Sequence, residues 1–257
     1  MPINIFISII SHDQQDLIKE NFGNFPKKLD DFNIKLSVLD NTGSKELEEF
    51  CDKESIFYHQ NEEPKGFGEN HNKMFSLLPI EDKDIFIVCN PDIKVLPSQL
   101  TGLAANFVNS NIDIGAPRSY LDKKNDFLDY PDRYFPYLLN FIISIATGKR
   151  LHYGKNDDQE YPQWVSGSFI LFKPEVFKAL NGFDEEYFMY CEDIDICFRA
   201  VQKGYKIKLD TKYFIEHNSR MASRKLLSQS IFWHMRSAYR FSRKSNRIFG
   251  LSIAKKV

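Results

Sequence analysis

Apolar, β-branched runs that alternate with helical patterns constrain the fold of this sequence more than any other feature does. The strands predicted from these runs in the first half of the chain cover residues 3–10, 34–39, 55–59 and 84–89. Helical patterns follow three of these runs, and Ser44 and Ser98 are the predicted N-caps of two of the helices. This order favours a mostly parallel sheet with helices on both faces, so we predict an α/β fold.

The second half of the chain has a less regular pattern. Residues 118–162 are rich in Tyr, Asp, Lys and Pro around an apolar stretch at 134–146, so we predict an insertion that contains one amphipathic helix. The pattern also predicts three strands, at 164–173, 205–209 and 213–216. It predicts two helices, one at 192–203 and a basic, aromatic one from about Ser223.

Polar clusters follow three of the predicted strands, at residues 40–44, 61–72 and 90–92. Because α/β sheets bind ligands beyond the carboxyl ends of their strands, we expect these clusters to converge. The glycines at 66–72 would let backbone amides approach an anionic ligand at the start of a helix, although the segment also suits a plain turn. It has neither the spacing of a P-loop nor the third glycine of a dinucleotide fingerprint.

Acidic residues that suit catalysis or metal binding occur at two places. Asp92, in an Asn-Pro-Asp cluster, is placed to hold a divalent cation against a diphosphate, but the same tripeptide is good turn chemistry. Glu192, Asp193 and Asp195 lie at a predicted helix start, where the helix dipole alone favours acidic residues. Their mutual repulsion also raises pKa values toward those of a general base. His217 has no second histidine beside it, so it carries no zinc signature.

Charge is unevenly distributed along the chain. The whole sequence has 34 basic and 35 acidic residues, a balance that argues against a uniformly basic nucleic-acid-binding protein. Residues 218–257 contain ten basic residues and no acidic one. We expect this basic tail to meet an anionic partner, such as a membrane, a phosphate group or a nucleic acid; the alternative is a solvated helix face.

The cysteines and the apolar stretches indicate the compartment. The four cysteines have no CxxC spacing, so we predict reduced core thiols in a cytoplasmic protein instead of a disulfide frame or a zinc site. The first residues predict a strand and not a signal peptide, because they have neither a basic region nor a cleavage site. A bilayer span needs about 20 apolar residues, and the longest apolar stretch, at 134–146, is shorter than that.

Six motifs together resemble a known enzyme family. They are Asp40-Asn41, the loop GFGENHN at 66–72, NPD at 90–92, WVSGSF at 164–169, NGFDEEYFMYCEDIDICFR at 181–199 and FWHMRSAYRFSRK at 232–244. In this order they resemble the inverting glycosyltransferases of family 2, which have the GT-A fold, and among these the bacterial rhamnosyltransferases of O-antigen and cell-wall assembly. The resemblance covers nearly the whole chain, and the block at 181–199 is its most specific part.

The resemblance implies an activity, partners and a domain organisation. The donor would be dTDP-β-L-rhamnose, the acceptor a sugar on a polyprenyl diphosphate, and the cofactor Mg²⁺ or Mn²⁺. The protein would be cytoplasmic and peripheral on the inner face of the cytoplasmic membrane. Residues 1–217 would form the GT-A domain, with a nucleotide-sugar-binding half at 1–117, the insertion at 118–162 and an acceptor half at 163–217. Residues 218–257 would form a basic helical extension close to the membrane.

The resemblance also implies roles for individual residues. Asp193 would act as the general base, Asp92 and His217 would ligate the metal ion, and Asp40 would read the pyrimidine ring with Asn41 beside it. The other implied roles are donor binding by Gly66, Phe67, Gly68, Asn70, Asn72 and Asn90, acceptor binding by Trp164, Ser166, Gly167 and Glu192, and membrane contact by Arg236, Arg240, Arg243 and Lys244. Asn90 replaces the first acid of the family's metal-binding motif, so the metal site has one negative charge fewer.

Three alternative functions remain besides rhamnosyl transfer. The first is the same chemistry with another nucleotide sugar, such as UDP-galactose or UDP-N-acetylglucosamine. The second is a non-catalytic sugar- or membrane-binding protein, which would not need Asp92, Glu192 and Asp193 together. The third is a nucleic-acid-binding protein, but the basic tail contains no recognised reading motif, and we expect no nucleic-acid partner.

Overall fold

The computed structural model describes residues 2–122, 127–129, 132–154, 160–217 and 227–253. In these residues the strands are β1 Ile3–Ser11, β2 Lys28–Leu29, β3 Phe32–Asp40, β4 Phe57–Gln60, β5 Ile85–Cys89, β6 Ile93–Lys94, β7 Ile114–Asp122, β8 Phe127–Leu128, β9 Asp132–Arg133, β10 Tyr153–Gly154, β11 Phe169–Phe172 and β12 Ile207–His217. The helices are α1 Gln15–Phe22, α2 Lys45–Glu54, α3 Phe67–Leu77, α4 Pro97–Val108, α5 Leu138–Thr147, α6 Pro174–Ala179, α7 Glu192–Gln202 and α8 Leu227–Lys244.

One sheet organises most of these strands, in the order β2-β3-β1-β5-β11-β7-β12-β6, with β4 beside β3 and β8 beside β7. Strands β4, β3, β1 and β5 are parallel to their neighbours in this series, and β12 is parallel to β7. Strand β11 runs antiparallel between β5 and β7. The predicted α/β fold with a mostly parallel sheet is therefore confirmed, and β11 brings its amino-terminal end to the edge where the parallel strands end.

Helices cover both faces of the sheet. Along β1, Ile5, Ile7 and Ile9 join one core cluster, which also contains side chains of α1, α2 and α4. Phe6 points to the opposite face and joins the second cluster, which contains side chains of α6, α7 and α8. Burial on both faces explains why the central strands are continuous apolar runs instead of alternating apolar and polar positions.

Several predicted element boundaries differ from the observed ones. Ser44 caps α2, because its hydroxyl accepts a hydrogen bond from the Leu47 amide at 3.3 Å. Ser98 does not cap α4, which begins at Pro97 and has no side-chain cap. The predicted strand at 164–173 is shortened to β11, and residues 164–168 form a loop. The two short strands predicted after residue 204 are one strand, β12, whose register shifts between Asp210 and Phe214.

The predicted insertion contains α5, as expected, but its first residues belong to β7, a strand of the central sheet. Helix α8 packs onto the same core as α7, with Ala238 and Phe241 fully buried. Its predicted start near Ser223 lies outside the described residues. All four cysteines are buried free thiols, as predicted. None of the helices that the structure describes is long and apolar enough to cross a membrane.

Candidate active site

The predicted polar clusters meet at one edge of the sheet, where the parallel strands end. The Asn41 side chain accepts a hydrogen bond from Asn61 at 2.8 Å, which joins the clusters after β3 and β4. Asn90, after β5, donates its backbone N–H to the carbonyl of Ser168 at 2.9 Å. The predicted convergence of the clusters is therefore confirmed, and the loop before β11 is part of the same site.

Asp193 lies in the first turn of α7 and faces this loop. Its Oδ2 accepts a hydrogen bond from the backbone N–H of Gly167 at 2.9 Å, and its Oδ1 accepts one from Ile194 at 2.8 Å. A Cβ at Gly167 would lie 3.3 Å from the Cβ of Asp193, so a glycine suits this close approach. Burial raises the pKa of Asp193 above its ordinary value, against the opposing effects of these amides and of Arg133. A carboxylate of raised pKa is suited to act as a general base.

Glu192, the neighbour of Asp193, is buried, and its Oε2 has no hydrogen-bond partner in the described structure. Burial raises the pKa of Glu192, and the adjacent charge of Asp193 raises it further. Two adjacent carboxylates in a buried site titrate as a pair, because ionising one disfavours ionising the other. At neutral pH the pair therefore favours one charge over two.

Asp195 is separated from this pair and has a structural role. It is almost fully buried, and it binds Arg199 at 2.7 Å and Lys244 at 2.7 Å. Arg199 in turn donates to the carbonyl of Gly182 at 2.9 Å. The three carboxylates at the start of α7 therefore divide into an adjacent buried pair, Glu192 and Asp193, and one anchor for the neighbouring loop.

Asp92 and His217, the predicted metal ligands, are neighbours in space. Antiparallel pairing places His217 of β12 opposite Ile93 of β6, and the distance from His217 Nε2 to Asp92 Oδ1 is 3.4 Å. The same Oδ1 atom is buried without a hydrogen-bond partner in the described structure. An orphaned carboxylate oxygen beside an imidazole nitrogen fits a divalent cation such as Mn²⁺. Among the described residues, no group of three or more His, Cys, Asp or Glu side chains forms a complete metal cage.

Asp40 is fully buried at the end of β3. Its carboxylate accepts hydrogen bonds from the Thr42 amide and hydroxyl at 2.9 and 2.8 Å, from the Ser44 amide at 2.7 Å and from the Tyr58 hydroxyl at 3.1 Å. Burial alone would raise the pKa of Asp40, but these hydrogen bonds outweigh it and lower the pKa. The carboxylate is directed at the turn after β3, and the expected contact with a pyrimidine ring stays a prediction.

The side chains of Asn41, Asn70 and Asn72 are also directed at the protein. Asn41 Oδ1 accepts hydrogen bonds from Asn70 at 3.2 Å and from the Lys65 amide at 3.1 Å. Asn72 binds both backbone groups of Phe183, through Oδ1 at 2.8 Å and Nδ2 at 2.9 Å. These amides therefore fasten the loop before α3 to β3 on one side and to the segment before α7 on the other.

The glycines at the start of α3 allow this close packing. A Cβ at Gly66 would lie 2.8 Å from the carbonyl oxygen of Phe188, and one at Gly68 would lie 2.6 Å from the Cβ of Phe183. The Phe67 amide donates to the Phe188 carbonyl at 2.9 Å. In this structure the glycines are therefore needed for contact with the protein itself, which sequence inspection alone does not reveal.

A small cleft lies between β7, β12 and the loop before β11, the loop whose Gly167 amide binds Asp193. Its polar lining includes Arg118, Arg133, Ser166 and Ser168. Trp164 forms part of its wall: the indole is buried, donates to the Tyr134 carbonyl at 3.1 Å, and lies 4.7 Å from the Arg133 guanidinium. The sequence analysis missed Arg133, because it lies in the irregular insertion and no spacing pattern distinguishes it from a surface arginine.

No family model matches the chain. Comparison with curated proteins nevertheless identifies the family. The chain is 30% identical over 256 residues to Rhamnosyltransferase WbbL of Escherichia coli (strain K12), an alignment that covers 95% of this chain and 96% of that protein. This chain belongs to the rhamnosyltransferase-type glycosyltransferases of family 2. The family and the enzyme class predicted from the six motifs are confirmed.

Two further curated relatives of this glycosyltransferase match over shorter lengths. An N-acetylglucosaminyl-diphospho-decaprenol L-rhamnosyltransferase of Mycobacterium tuberculosis (strain ATCC 25618 / H37Rv) is 33% identical over 79 residues, covering 30% of this chain and 25% of that protein. The low-salt glycan biosynthesis hexosyltransferase Agl10 of Haloferax volcanii is 24% identical over 172 residues, covering 66% and 54% of the two chains.

Solved structures confirm the GT-A fold of this glycosyltransferase. The mannosyltransferase PcManGT from Pyrobaculum calidifontis, in complex with GDP-Man and Mn²⁺, matches with a TM-score of 0.66 and 12% identity, covering 98% of this chain and 66% of that one. GalNAc-T7 with UDP, GalNAc and Mn²⁺ matches with a TM-score of 0.63 and 12% identity, covering 94% and 48%. At these identities the likeness concerns the fold alone.

Proposed function

We propose that this glycosyltransferase transfers L-rhamnose from dTDP-β-L-rhamnose to a sugar on a polyprenyl diphosphate, with inversion at the anomeric carbon. The observation that carries the chemistry is the position of Asp193, held by the Gly167 amide at the same sheet edge as Asp92 and His217. The choice of donor and acceptor is supported by the names of the relatives, a rhamnosyltransferase along the full length and a lipid-diphosphate rhamnosyltransferase along part of it.

The reaction is a single in-line displacement. The acceptor hydroxyl oxygen bonds to the anomeric carbon while the bond from that carbon to the diphosphate oxygen breaks, and dTDP leaves. Asp193 takes the hydroxyl proton as the new bond forms, which is worth about 10²–10⁴-fold in rate. One base suffices, because the displacement needs no covalent intermediate on the protein.

Asp92 and His217 would hold a Mg²⁺ or Mn²⁺ ion, and the donor diphosphate would complete its coordination. When bound, the ion supplies positive charge that stabilises the leaving diphosphate. Asn90 in place of a carboxylate removes one negative charge from this site, so we expect the ion to bind more tightly with the donor than without it. The Mn²⁺ ions present in the complexes of PcManGT and GalNAc-T7 support a divalent ion in this fold.

Buried side-chain amides support the loop at residues 65–72, which we call the donor loop. Asn41, Asn70 and Asn72 would position this loop, since their polar atoms are bound within the protein. Asp40 would hold the turn after β3 in the same way. The backbone of the donor loop and Asn90 would then face the donor. The acceptor sugar would lie beside the loop of Trp164, Ser166 and Gly167, whose Gly167 amide binds Asp193, next to Glu192.

A donor panel tests this assignment. The full chain, with a synthetic polyprenyl-diphosphate sugar as acceptor, is expected to give a product heavier by one deoxyhexose with dTDP-L-rhamnose. UDP-galactose and UDP-N-acetylglucosamine serve as competing donors, and product mass is the measurement. Product formed only with a UDP-sugar would contradict the rhamnosyl assignment while leaving the glycosyltransferase family unchanged.

We also propose that the outer faces of α5 and α8 bind an anionic membrane surface. On α5, Leu139, Ile142 and Ile145 are 37–43% exposed, and on α8 Phe232 is 63% exposed. Helix α5 packs against α8, with the Phe141 and His234 rings 5.8 Å apart, so the two apolar faces are adjacent. Apolar anchors beside basic side chains are what an interfacial helix needs.

The four basic residues expected at the membrane divide into two pairs. Arg236 and Arg243 are exposed on α8. Arg240 and Lys244 bind Asp184, with distances of 2.9 and 2.8 Å to its Oδ2, so the protein partly neutralises both charges, although Lys244 is also exposed. We therefore propose Arg236 and Arg243, together with the apolar anchors, as the main membrane contacts among the four.

Vesicle sedimentation tests the membrane proposal. The wild-type chain is expected to sediment with anionic vesicles. Arg236→Gln/Arg243→Gln should lose about 30-fold in binding, because each basic group near such a surface contributes roughly 1 kcal/mol. Lys178→Gln, at an exposed lysine of α6, is the matched control and should bind normally. Equal sedimentation of the double variant and the wild type would contradict the proposal.

A further inference from the structure

The segment at 183–191, directly before Glu192, has a backbone conformation that its own residues do not favour. Tyr190 has a φ of 70° and Cys191 a φ of 64°. Both values lie in the left-handed region, which side chains with a Cβ rarely adopt. Such conformations persist only when surrounding structure holds them, and they cluster at functional sites. Contacts from elsewhere in the molecule must therefore stabilise this segment.

Helix α8 provides charged contacts to the segment. Asp184 accepts hydrogen bonds from Arg240 at 2.9 Å and from Lys244 at 2.8 Å, and Arg240 also pairs with Glu186. Lys244 reaches Asp195 as well, at 2.7 Å, so one ammonium joins the segment to α7. These two cations lower the pKa of Asp184 to about 2, although burial alone would raise it.

Helix α8 also contacts the segment through neutral groups. The Phe188 and Trp233 rings are stacked with centroids 4.7 Å apart, and the Tyr190 and His234 rings are 5.0 Å apart. The Ser237 hydroxyl donates to the Met189 carbonyl at 2.8 Å. Contacts from α8 therefore extend from Asp184 to Tyr190, the residue before the N-cap of α7.

The opposite side of the segment packs against the donor loop. The Phe188 carbonyl accepts from the Phe67 amide at 2.9 Å, and Asn72 binds both backbone groups of Phe183. The segment thus lies between α8 on one side and the start of α3 on the other. The segment leads directly into the first turn of α7, which carries Asp193.

We propose that α8 acts as a clamp that positions Asp193, with Arg240 and Lys244 as its positioning residues. This inference rests on the proposal that Asp193 is the base. A base is effective only within hydrogen-bond reach of the acceptor hydroxyl, so loss of the clamp lowers turnover without removing any group that touches substrate. The inner face of α8 therefore supports the catalytic site. This role is independent of any membrane contact that its outer face makes.

Charge-removing variants of the full chain test the clamp. Lys244→Met and Arg240→Met/Lys244→Met keep the apolar stems and remove the charges, while Lys244→Arg keeps the charge. Lys178→Met is the matched control, because it removes an exposed ion pair of equal length, 2.8 Å to Asp82, that involves neither α8 nor the segment. The measurements are kcat and donor KM at saturating acceptor, and hydrogen–deuterium exchange of the amides at 183–191.

We expect the double variant to lose about tenfold or more in kcat, with the donor KM nearly unchanged, because a small misplacement of a catalytic group is costly. Hydrogen–deuterium exchange at 183–191 should quicken in the double variant while α2 stays protected. The Lys244→Arg variant, which keeps the charge, should have the kcat and the exchange rates of the wild type. If the double variant does not fold, the single Lys244→Met variant is decisive, since Arg199 still neutralises Asp195.

Two results would overturn the clamp: unchanged exchange at 183–191 in the charge-removing variants, or quickened exchange with the turnover of the wild type. Failure of the base assignment gives a different result. An active Asp193→Asn enzyme would remove Asp193 from catalysis, whereas the exchange data would still report whether α8 holds the segment.

Discussion

Asp193→Asn is expected to lower kcat by at least about 100-fold while the Kd of the donor stays nearly unchanged. The amide has the shape of the carboxylate and keeps an acceptor for the Gly167 N–H, but it cannot take a proton from the acceptor hydroxyl. Single-turnover product formation and donor titration measure the two quantities separately.

Glu192→Gln is the matched control for this prediction. At neutral pH burial and the adjacent Asp193 already favour the neutral form of Glu192, so glutamine imitates that form. We expect a loss in kcat of less than about tenfold, together with an effect on acceptor KM. An enzyme that tolerates Asp193→Asn but not Glu192→Gln would assign the base to Glu192.

The pH dependence of kcat/KM follows from the same pair. Burial raises the pKa of Asp193, and a base acts only when it is deprotonated, so activity falls as the pH is lowered through this raised pKa. The residual activity of Asp193→Asn should show no such acidic limb. An identical limb in the wild type and the variant would locate the titrating group elsewhere.

Asp92→Ala is expected to weaken donor binding and turnover together, with a loss of at least about 100-fold in kcat/KM. A bound cation contributes several kcal/mol of charge stabilisation, and about 1.4 kcal/mol corresponds to tenfold in rate. His217→Ala should act in the same direction, since its Nε2 lies 3.4 Å from Asp92 Oδ1. EDTA should reproduce the loss in the wild type, and added Mn²⁺ should reverse it.

Two further variants sharpen this second prediction. Asn90→Asp restores the missing charge and should tighten Mn²⁺ binding in the absence of donor, as measured by electron paramagnetic resonance. Asp82→Ala removes an exposed carboxylate far from the sheet edge and should leave both readouts unchanged. Turnover that withstands EDTA would contradict the metal site and direct attention to Lys65 or the basic tail for neutralising the diphosphate.

Much of the architecture was predictable, because strand and helix patterns are local properties of the chain. Burial on both faces makes a strand such as β5 a continuous apolar run, and Ser44 caps α2 through its own neighbours. Parallel strands end at one edge, so the polar clusters after β3, β4 and β5 had to meet there. The block at 181–199 was specific enough to predict the family, which the full-length relative confirms.

Tertiary packing alone decided which polar groups remain available for chemistry. Asp193 and Asp195 lie two residues apart, yet Lys244 of α8 binds Asp195 while Asp193 faces the Gly167 amide. Successive helical positions point in different directions, and what each direction meets depends on elements distant in sequence.

The same reason applies to the basic tail and to the donor loop. A positive charge on an amphipathic helix predicts an anionic partner, but only the packing of α8 shows that Asp184 is that partner for Arg240 and Lys244. The glycines of the donor loop likewise predict close approach without naming what approaches, and the structure places Phe183 and Phe188 there. Sequence thus determined the elements and the residue types at the site, whereas contacts between elements distant in sequence determined what each side chain does, because folding alone sets those distances.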